Sequence, residues 1–377
     1  MFGIGLLLAV AATIAVSEPV RAESSGEVTV MFWNLENFFD FVDGGTGESD
    51  AEFSSTGPRR WTKKRFYRKC NAVAKTILWA GSQITGNTGE PGGTMLPDVV
   101  GMAEVENRFV LRQLVVKTAL RKLDYEIVHF DSPDPRGIDC ALLYRASRLS
   151  LVDAKPCRVS APGLLTRDIL LAQFLTPAGD SLAVLVNHHP SKYGGGETDW
   201  RREAAVDRLK GLGDSLAVAG WVRAVAVGDF NDTPENPVFE RLSPAFSFCR
   251  LISPKDLLAP REDSRHMPLR PGTADSFKER TAPREAHREN KRRNTIGTGS
   301  IRFNGEWQLI DLCFVSPALA GSASFSVLEP PFLTERDAAH SGDRPLRTYS
   351  GPRYRGGVSD HRPILVRIPA SFRIPDW

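Results

Sequence analysis

Val225-Ala226-Val227 is an apolar, β-branched run that stops at Gly228 and is followed by Asp229, Phe230, Asn231 and Asp232. A buried strand ending in this way delivers carboxylate and carboxamide groups to the strand end of a layered α/β fold, where ligands bind. The same residues would also serve as an ordinary polar turn. Repetition is what counts against the turn. Asn34, Glu104 and His188 each follow an apolar run, Asp311 interrupts one, and Asp360-His361 precedes the last. Each has a plainer use: Asn34 as a cap, Glu104 and Glu106 as the acidic first turn of a helix, His188 as a packed histidine. Asp311 is the hardest to explain that way, because an ionised carboxylate inside an apolar strand needs a cation, a histidine or a metal beside it.

These groups need elements to hold them. Alternation or apolar runs predict strands over 27–33, 98–103, 125–130, 138–144, 149–158, 169–176, 182–186, 225–229, 306–315 and 364–368. The ninth carries Asp311 in its middle. Helical spacing covers 61–79, a stretch ending near 122, and 199–217. Segments 43–58 and 81–97 read as loops. Segment 261–300 reads as a mobile excursion, locally basic at Arg284, Arg288, Lys291, Arg292 and Arg293. Strand–helix units occur once in each half with extra strands between, which predicts two sheets face to face with helices outside, as one domain.

Composition bounds the rest. The chain has 377 residues, 41% hydrophobic and 25% charged, enough for a sizeable core. A net charge of +3 is too mild to argue nucleic-acid binding by itself. Residues 1–16 are apolar and lead to Val20-Arg21-Ala22, a small-residue cleavage site, so 1–22 reads as a signal peptide. If it is not cleaved it would be an anchor; a buried N-terminal helix is the other reading. The expected location is periplasmic or extracellular. Cys70, Cys140, Cys157, Cys249 and Cys313 have no metal-ligand spacing and make no disulfide framework, leaving room for a bridge or two at most.

Trp33-Asn34, Ala103-Glu104-Val105, Asn187-His188, Gly228-Asp229-Phe230-Asn231, Ile310-Asp311 and Ser359-Asp360-His361 occur in that order across 27–369. In them the chain resembles the endonuclease/exonuclease/phosphatase superfamily (DNase I-like). Longer phrases, such as Asn187-His188-His189-Pro190-Ser191-Lys192 and Arg355-Gly356-Gly357-Val358-Ser359-Asp360-His361, look like an exported bacterial branch of it. The resemblance implies a four-layer α/β sandwich, two mixed β-sheets packed face to face with helices outside.

It implies a metal-dependent phosphodiesterase hydrolysing phosphoester bonds by in-line attack of water, and an exported endonuclease first. A phosphatase or a phospholipid or inositol phosphodiesterase is the alternative, and a non-enzymatic binding module the reading from another class. Carried over by position, Glu104 would be the principal ligand of Mg²⁺ or Mn²⁺, with Asn34 and Asp360 completing or flanking the site. His361, paired with Asp311, would take the proton from water with a pKa near working pH. Asp229 and Asn231 would position water and phosphate. His188, braced by Asp131, would bind a phosphate oxygen or protonate the leaving oxygen.

Arg136 and Arg167 are candidate phosphate contacts or plain surface ion pairs, and the arginines near 344–355 could follow a phosphate backbone or be solvated charge. The expected partner is a phosphodiester substrate, nucleic acid foremost, with no obligate protein partner and a monomeric state. Three positions depart from the family pattern: Ala103 before the glutamate, Leu312 after the strand aspartate, and His189 after His188. The last leaves open which histidine faces the site, although alignment favours His188.

Overall fold

The computed structural model describes residues 27–45, 47–84, 95–192, 195–253, 256 and 299–369. The signal peptide expected over 1–22 and nearly all of the excursion expected over 261–300 lie outside them.

The first strand shows why the chain layers as it does. In β1 (Glu27–Phe38), Val28, Val30 and Phe32 enter one apolar cluster while Met31, Trp33 and Leu35 enter another. Successive side chains of a strand point to opposite faces, so a strand apolar on both faces must be covered on both. The first cluster fills the space between two sheets. The second lies between β1's sheet and the helices α1 (Lys63–Ser82) and α2 (Arg108–Lys117).

Following β1 come β2 (Val99–Val105), β3 (Tyr125–His129), β4 (Asp139–Arg145), β5 (Ser150–Cys157), β6 (Ile169–Leu175), β7 (Ser181–His188) and β8 (Ala224–Asp229). The shorter strands are β9 (Ser247–Phe248), β10 (Arg250–Leu251), β11 (Ile301–Phe303), β12 (Glu306–Gln308), β13 (Asp311–Val315) and β14 (Ser324–Val327). Two small ribbons, β15 (Thr334–Arg336) with β16 (Asp343–Pro345) and β17 (Tyr349–Ser350) with β18 (Arg353–Tyr354), precede β19 (Ile364–Pro369). One sheet runs β10-β14-β19-β1-β2-β4-β3 and the other β5-β6-β7-β8-β13-β9. Each is mixed, with one long parallel pair at its centre, β1/β2 or β7/β8. The helix α3 (Asp199–Val218) covers the second sheet with Ala205, Val206, Leu209 and Leu212. This is the four-layer α/β sandwich expected from the sequence.

The helix expected to end near 122 stops at Lys117, with a separate 3₁₀ turn over Ala119–Lys122. The short strands β9–β11 and β15–β18 were not expected, and two larger differences remain. Residues 306–315 are not one strand: β12 pairs with β11 in a hairpin, and the chain then crosses at Leu309-Ile310 to join β8 as β13. Ser300 Oγ accepts the amide hydrogens of Ile310 and Asp311 at 3.2 and 3.0 Å, satisfying the backbone where the ladder is interrupted. Asp311 therefore starts a strand. The fully buried β14 has no counterpart in the pattern; Ser-Phe-Ser-Val is too short and too polar to signal one. All five cysteines are buried and free, so no bridge forms. No helix among the described residues is long and apolar enough to cross a membrane.

Candidate active site

Register explains how distant residues meet. In the second sheet His188 lies opposite Asp229 on β7/β8, and Asp229 lies opposite Asp311 on β8/β13. Three reactive side chains thus form a row across three adjacent strands. Such rows demand close strand approach, and a Cβ on Gly228 would lie 2.3 Å from the Asn187 carbonyl oxygen. In the first sheet Asn34 is paired with Ala103, which puts Glu104 just beyond it at the end of β2. The site therefore sits at the seam of the two sheets, beyond the carboxyl ends of both parallel pairs.

Contacts across the seam close it. Asn34 Nδ2 donates to Asp229 Oδ2 at 3.0 Å. His361, arriving just before β19, places Nδ1 2.8 Å from Asp311 Oδ2 and Nε2 3.8 Å from Asp229 Oδ2. Its backbone is pinned: Trp33 Nε1 donates to its carbonyl at 2.9 Å, and its own amide donates to Ser359 Oγ. His188 Nε2 stands 3.7 Å from Asp229 Oδ2 and 3.9 Å from Glu104 Oε1.

The backbone at these strand ends is unusual. Glu36, Asn37, Glu104 and Asn231 have φ of 47°, 56°, 60° and 53°, in the left-handed region that non-glycine residues seldom adopt. Such conformations cluster at functional sites. They turn side chains out of register: Glu104 Oε2 accepts the Asn37 amide at 2.7 Å, and Asn231 spends its NH₂ on the His189 carbonyl at 2.9 Å.

Charge is concentrated here. Burial pushes Asp229 up to about 7, with Asp311 adding to the shift against the opposing pull of His361. Burial opposes charge on His361, but Asp311 and Asp229 outweigh it and hold its pKa well above the usual histidine value. The expectation of a pKa near working pH is not met in this arrangement. His188 goes the other way: burial, then the Arg167 and Arg136 guanidinium groups, keep it neutral.

Other expectations are sorted by the same contacts. His189 turns away, its ring 4.6 Å from that of Phe230, so His188 is the histidine at the site. Ala103 and Leu312 are buried in apolar clusters. Arg136 stays at the rim, 42% exposed and 3.9 Å from Glu104 Oε1. Arg167 is not a surface phosphate contact: it is buried, ion-paired to Asp134 at 2.7 Å, and donates to the carbonyls of His188 and His189. Asp131 does not brace His188, whose Nδ1 has no hydrogen-bond partner among the described residues; it is exposed and stands instead near His129 and Asp139. Arg344 and Arg355 are both ion-paired to Glu335. Asp232 serves its turn, accepting from the Thr233 amide at 2.9 Å and from Asn236 Nδ2 at 2.8 Å, and is also a buried hub for Lys192 at 2.6 Å and Arg202 at 3.3 Å.

Glu36 and Lys69 were not anticipated, and Arg347 was expected only among the arginines near 344–355. Glu36 accepts from Arg347, which also reaches Asp360 Oδ2 at 3.0 Å, and Lys69 donates to the Glu36 carbonyl at 2.7 Å. Lys69 did carry a signal, since a lysine in step with Phe66, Val73 and Ile77 falls on the apolar face of its helix.

A model of the Endonuclease/Exonuclease/phosphatase family matches residues 29–253 and 283–370. The chain belongs to this family. Rat nocturnin is 26% identical over 178 residues, 44% of this chain and 39% of nocturnin's own length. The mannosyl-6-phosphatase Bt3783 of Bacteroides thetaiotaomicron has the same fold, with a TM-score of 0.51 at 15% identity, covering 90% of this chain and 99% of that one. Truncated TDP2 of Caenorhabditis elegans has a TM-score of 0.50 at 14% identity, covering 91% and 98%.

Members of the family are phosphoester hydrolases that typically use a divalent cation, and the residues present fit one. Asn34, Glu104 and Asp360 offer oxygen, the donor type hard cations take. Glu104 and Asp360 belong to a group of five carboxylates with Glu36, Asp229 and Asp311, and burial pushes both Glu36 and Asp229 up to about 7. Asp229, Asp311 and His361 also have ligand atoms within 4.8 Å of one another, as do His129, Asp131 and Asp139. In both, hydrogen bonds already join the histidine to an aspartate, at 2.8 and 3.0 Å.

Proposed function

We propose that this family member is a metal-dependent phosphodiesterase that hydrolyses phosphoester bonds by in-line attack of water, and that it cuts nucleic acid internally. The observation that carries the proposal is the His361–Asp311 pair, 2.8 Å apart, facing Asp229 across the seam. With Nδ1–H bound to Asp311, His361 presents Nε2 as the acceptor for a proton from water. Asp311 holds that tautomer and stabilises the imidazolium once formed. Asp229, fixed by Asn34, orients the water at the same nitrogen.

Neutral His188 is suited to donate a hydrogen bond to a phosphate oxygen, which favours binding over delivery of a proton from an imidazolium. Asn34, Glu104 and Asp360 would hold Mg²⁺ or Mn²⁺, which when bound offsets the negative charge that builds on the phosphoryl oxygens. Such a cation would also offset the carboxylate field that keeps His361 protonated. Arg136 at the rim supports a polyanionic substrate, through the charge-assisted hydrogen bonds an exposed guanidinium makes to phosphate.

The test is supercoiled plasmid incubated with the purified chain and Mg²⁺. Nicked and then linear DNA is expected, with protection by EDTA and a loss of about 10²- to 10⁴-fold in His361→Ala. Hydrolysis of bis-p-nitrophenyl phosphate with all DNA and RNA left intact would overturn the nuclease reading in favour of a smaller diester. Release of phosphate from monoesters alone would make it a phosphatase. Full activity in His361→Ala would refute the mechanism. The proposal extends to an exported monomer, checked by sequencing the N-terminus of the mature protein from cell fractions and by light scattering.

A further inference from the structure

Lys69 is 1% exposed, and lysine is almost never buried so deeply without a paired charge. Its ammonium donates to a carbonyl and a hydroxyl, Glu36 O at 2.7 Å and Thr348 Oγ1 at 2.9 Å, while lying 5.7 Å from the ring centroids of Phe38 and Trp61. Thr348 Oγ1 in turn donates to the Val358 carbonyl at 2.7 Å, two residues before Asp360. One ammonium therefore ties α1 to the end of β1 and to the segment that carries Ser359-Asp360-His361.

What it holds is the left-handed pair Glu36-Asn37. The Asn37 amide is bound by Glu104 Oε2 at 2.7 Å. The Glu36 carboxylate accepts from the Thr348 amide at 3.1 Å and from Arg347 Nη2 at 2.9 Å, and the same Nη2 is 3.0 Å from Asp360 Oδ2. Two carboxylates 256 positions apart in the chain, Glu104 and Asp360, are thereby attached to adjoining residues of one turn.

We propose that Glu36, braced from beneath by Lys69, is a positioning residue that sets the separation of Glu104 and Asp360, acting on the first through the Asn37 amide and on the second through Arg347. This rests on the reading of Glu104 and Asp360 as cation-holding carboxylates. Groups that orient metal ligands through hydrogen bonds govern affinity, so the effect is to be read in metal binding as well as in rate.

The experiment titrates Mn²⁺ alone into the full chain by calorimetry, for wild type, Glu36→Gln, Arg347→Ala, Arg347→Lys and Lys69→Met, with a thermal melt of each. Arg347 is half exposed, so its variants test the idea even where Lys69→Met does not fold. Glu36→Gln and Arg347→Ala are expected to weaken Mn²⁺ binding about 10- to 100-fold. Arg347→Lys should recover part of that loss, and turnover should return toward wild type at saturating Mn²⁺. Folded Glu36→Gln and Arg347→Ala that bind Mn²⁺ within about twofold of wild type would overturn the inference while leaving the phosphodiesterase reading intact. A wild-type chain that hydrolyses phosphoesters yet binds no Mn²⁺ would instead remove the cation-holding role on which both rest.

Discussion

His188 and His189 are adjacent and are treated oppositely by the fold. His189 is 1% exposed, packs its ring at a tilt against Phe230, and has no hydrogen-bond partner at either ring nitrogen among the described residues. Burial, helped by Arg167 and Arg202, pushes its pKa down to about 3. The folded chain thus keeps this imidazole neutral, whereas the unfolded chain protonates it near the ordinary value of about 6.5. Between those values the unfolded state binds the extra proton, so stability falls as pH drops through the window and is untouched above it. The loss approaches about 1.4 kcal/mol per pH unit well below 6.5, or about 2 kcal/mol at pH 5. His189→Phe, which fills the same apolar space, should flatten this acid limb in urea unfolding at pH 7.5, 6 and 5. Parallel losses in wild type and variant would show that His189 is not the group responsible.

Gly228 belongs to the strands that carry it. Its missing side chain lets β8 approach β7 closely enough to align Asp229 with His188, and any Cβ would meet the Asn187 carbonyl. Gly228→Ala must force the two strands apart, at a cost of about 1–3 kcal/mol by the measure of overpacked cores. A urea midpoint unchanged from wild type would contradict this. The long strands and three helices were legible because their buried apolar residues recur at strand or helix spacing. So were Asn34, Glu104, His188, Asp229, Asp311 and His361, which stand at strand ends or beside them. Arg167 and Asp131 were misplaced because an exposed contact and a buried strut look the same along a sequence. Glu36 and its pairing with Arg347 were missed since their importance comes from a left-handed turn and an ion pair spanning 311 positions, neither of which leaves a local pattern. The break at 309–310 was hidden because Leu309 and Ile310 are themselves apolar and look like a continuation of the strand.

Across the whole molecule, the five carboxylates at the seam make the chain carry repulsion that a divalent cation can relieve. A ligand that binds the folded state alone stabilises it by RT ln(1 + [L]/Kd), about 2.7 kcal/mol at 100 times Kd. Mg²⁺ or Mn²⁺ should therefore raise the melting temperature by several degrees, and EDTA should reverse it. Identical melts with and without the cation would argue against a site here.

The seam has a further consequence. Asn34 and Glu104 come from one sheet, His361 from the segment leading into that sheet's β19, and His188, Asp229 and Asp311 from the other, so the Asn34–Asp229 and His361–Asp311 contacts are also contacts between two stacked plates. A slip of one plate over the other by a single residue, about 3.3 Å, would leave each sheet's own ladder whole yet separate Asn34 from Asp229 and His361 from Asp311. Whatever prevents that slip, above all the packed side chains of Phe32, Val186, Val227 and Val366 in the layer between the sheets, acts as a mechanical alignment pin for the chemistry. Loss of bulk in that layer should therefore dull the enzyme before it melts it.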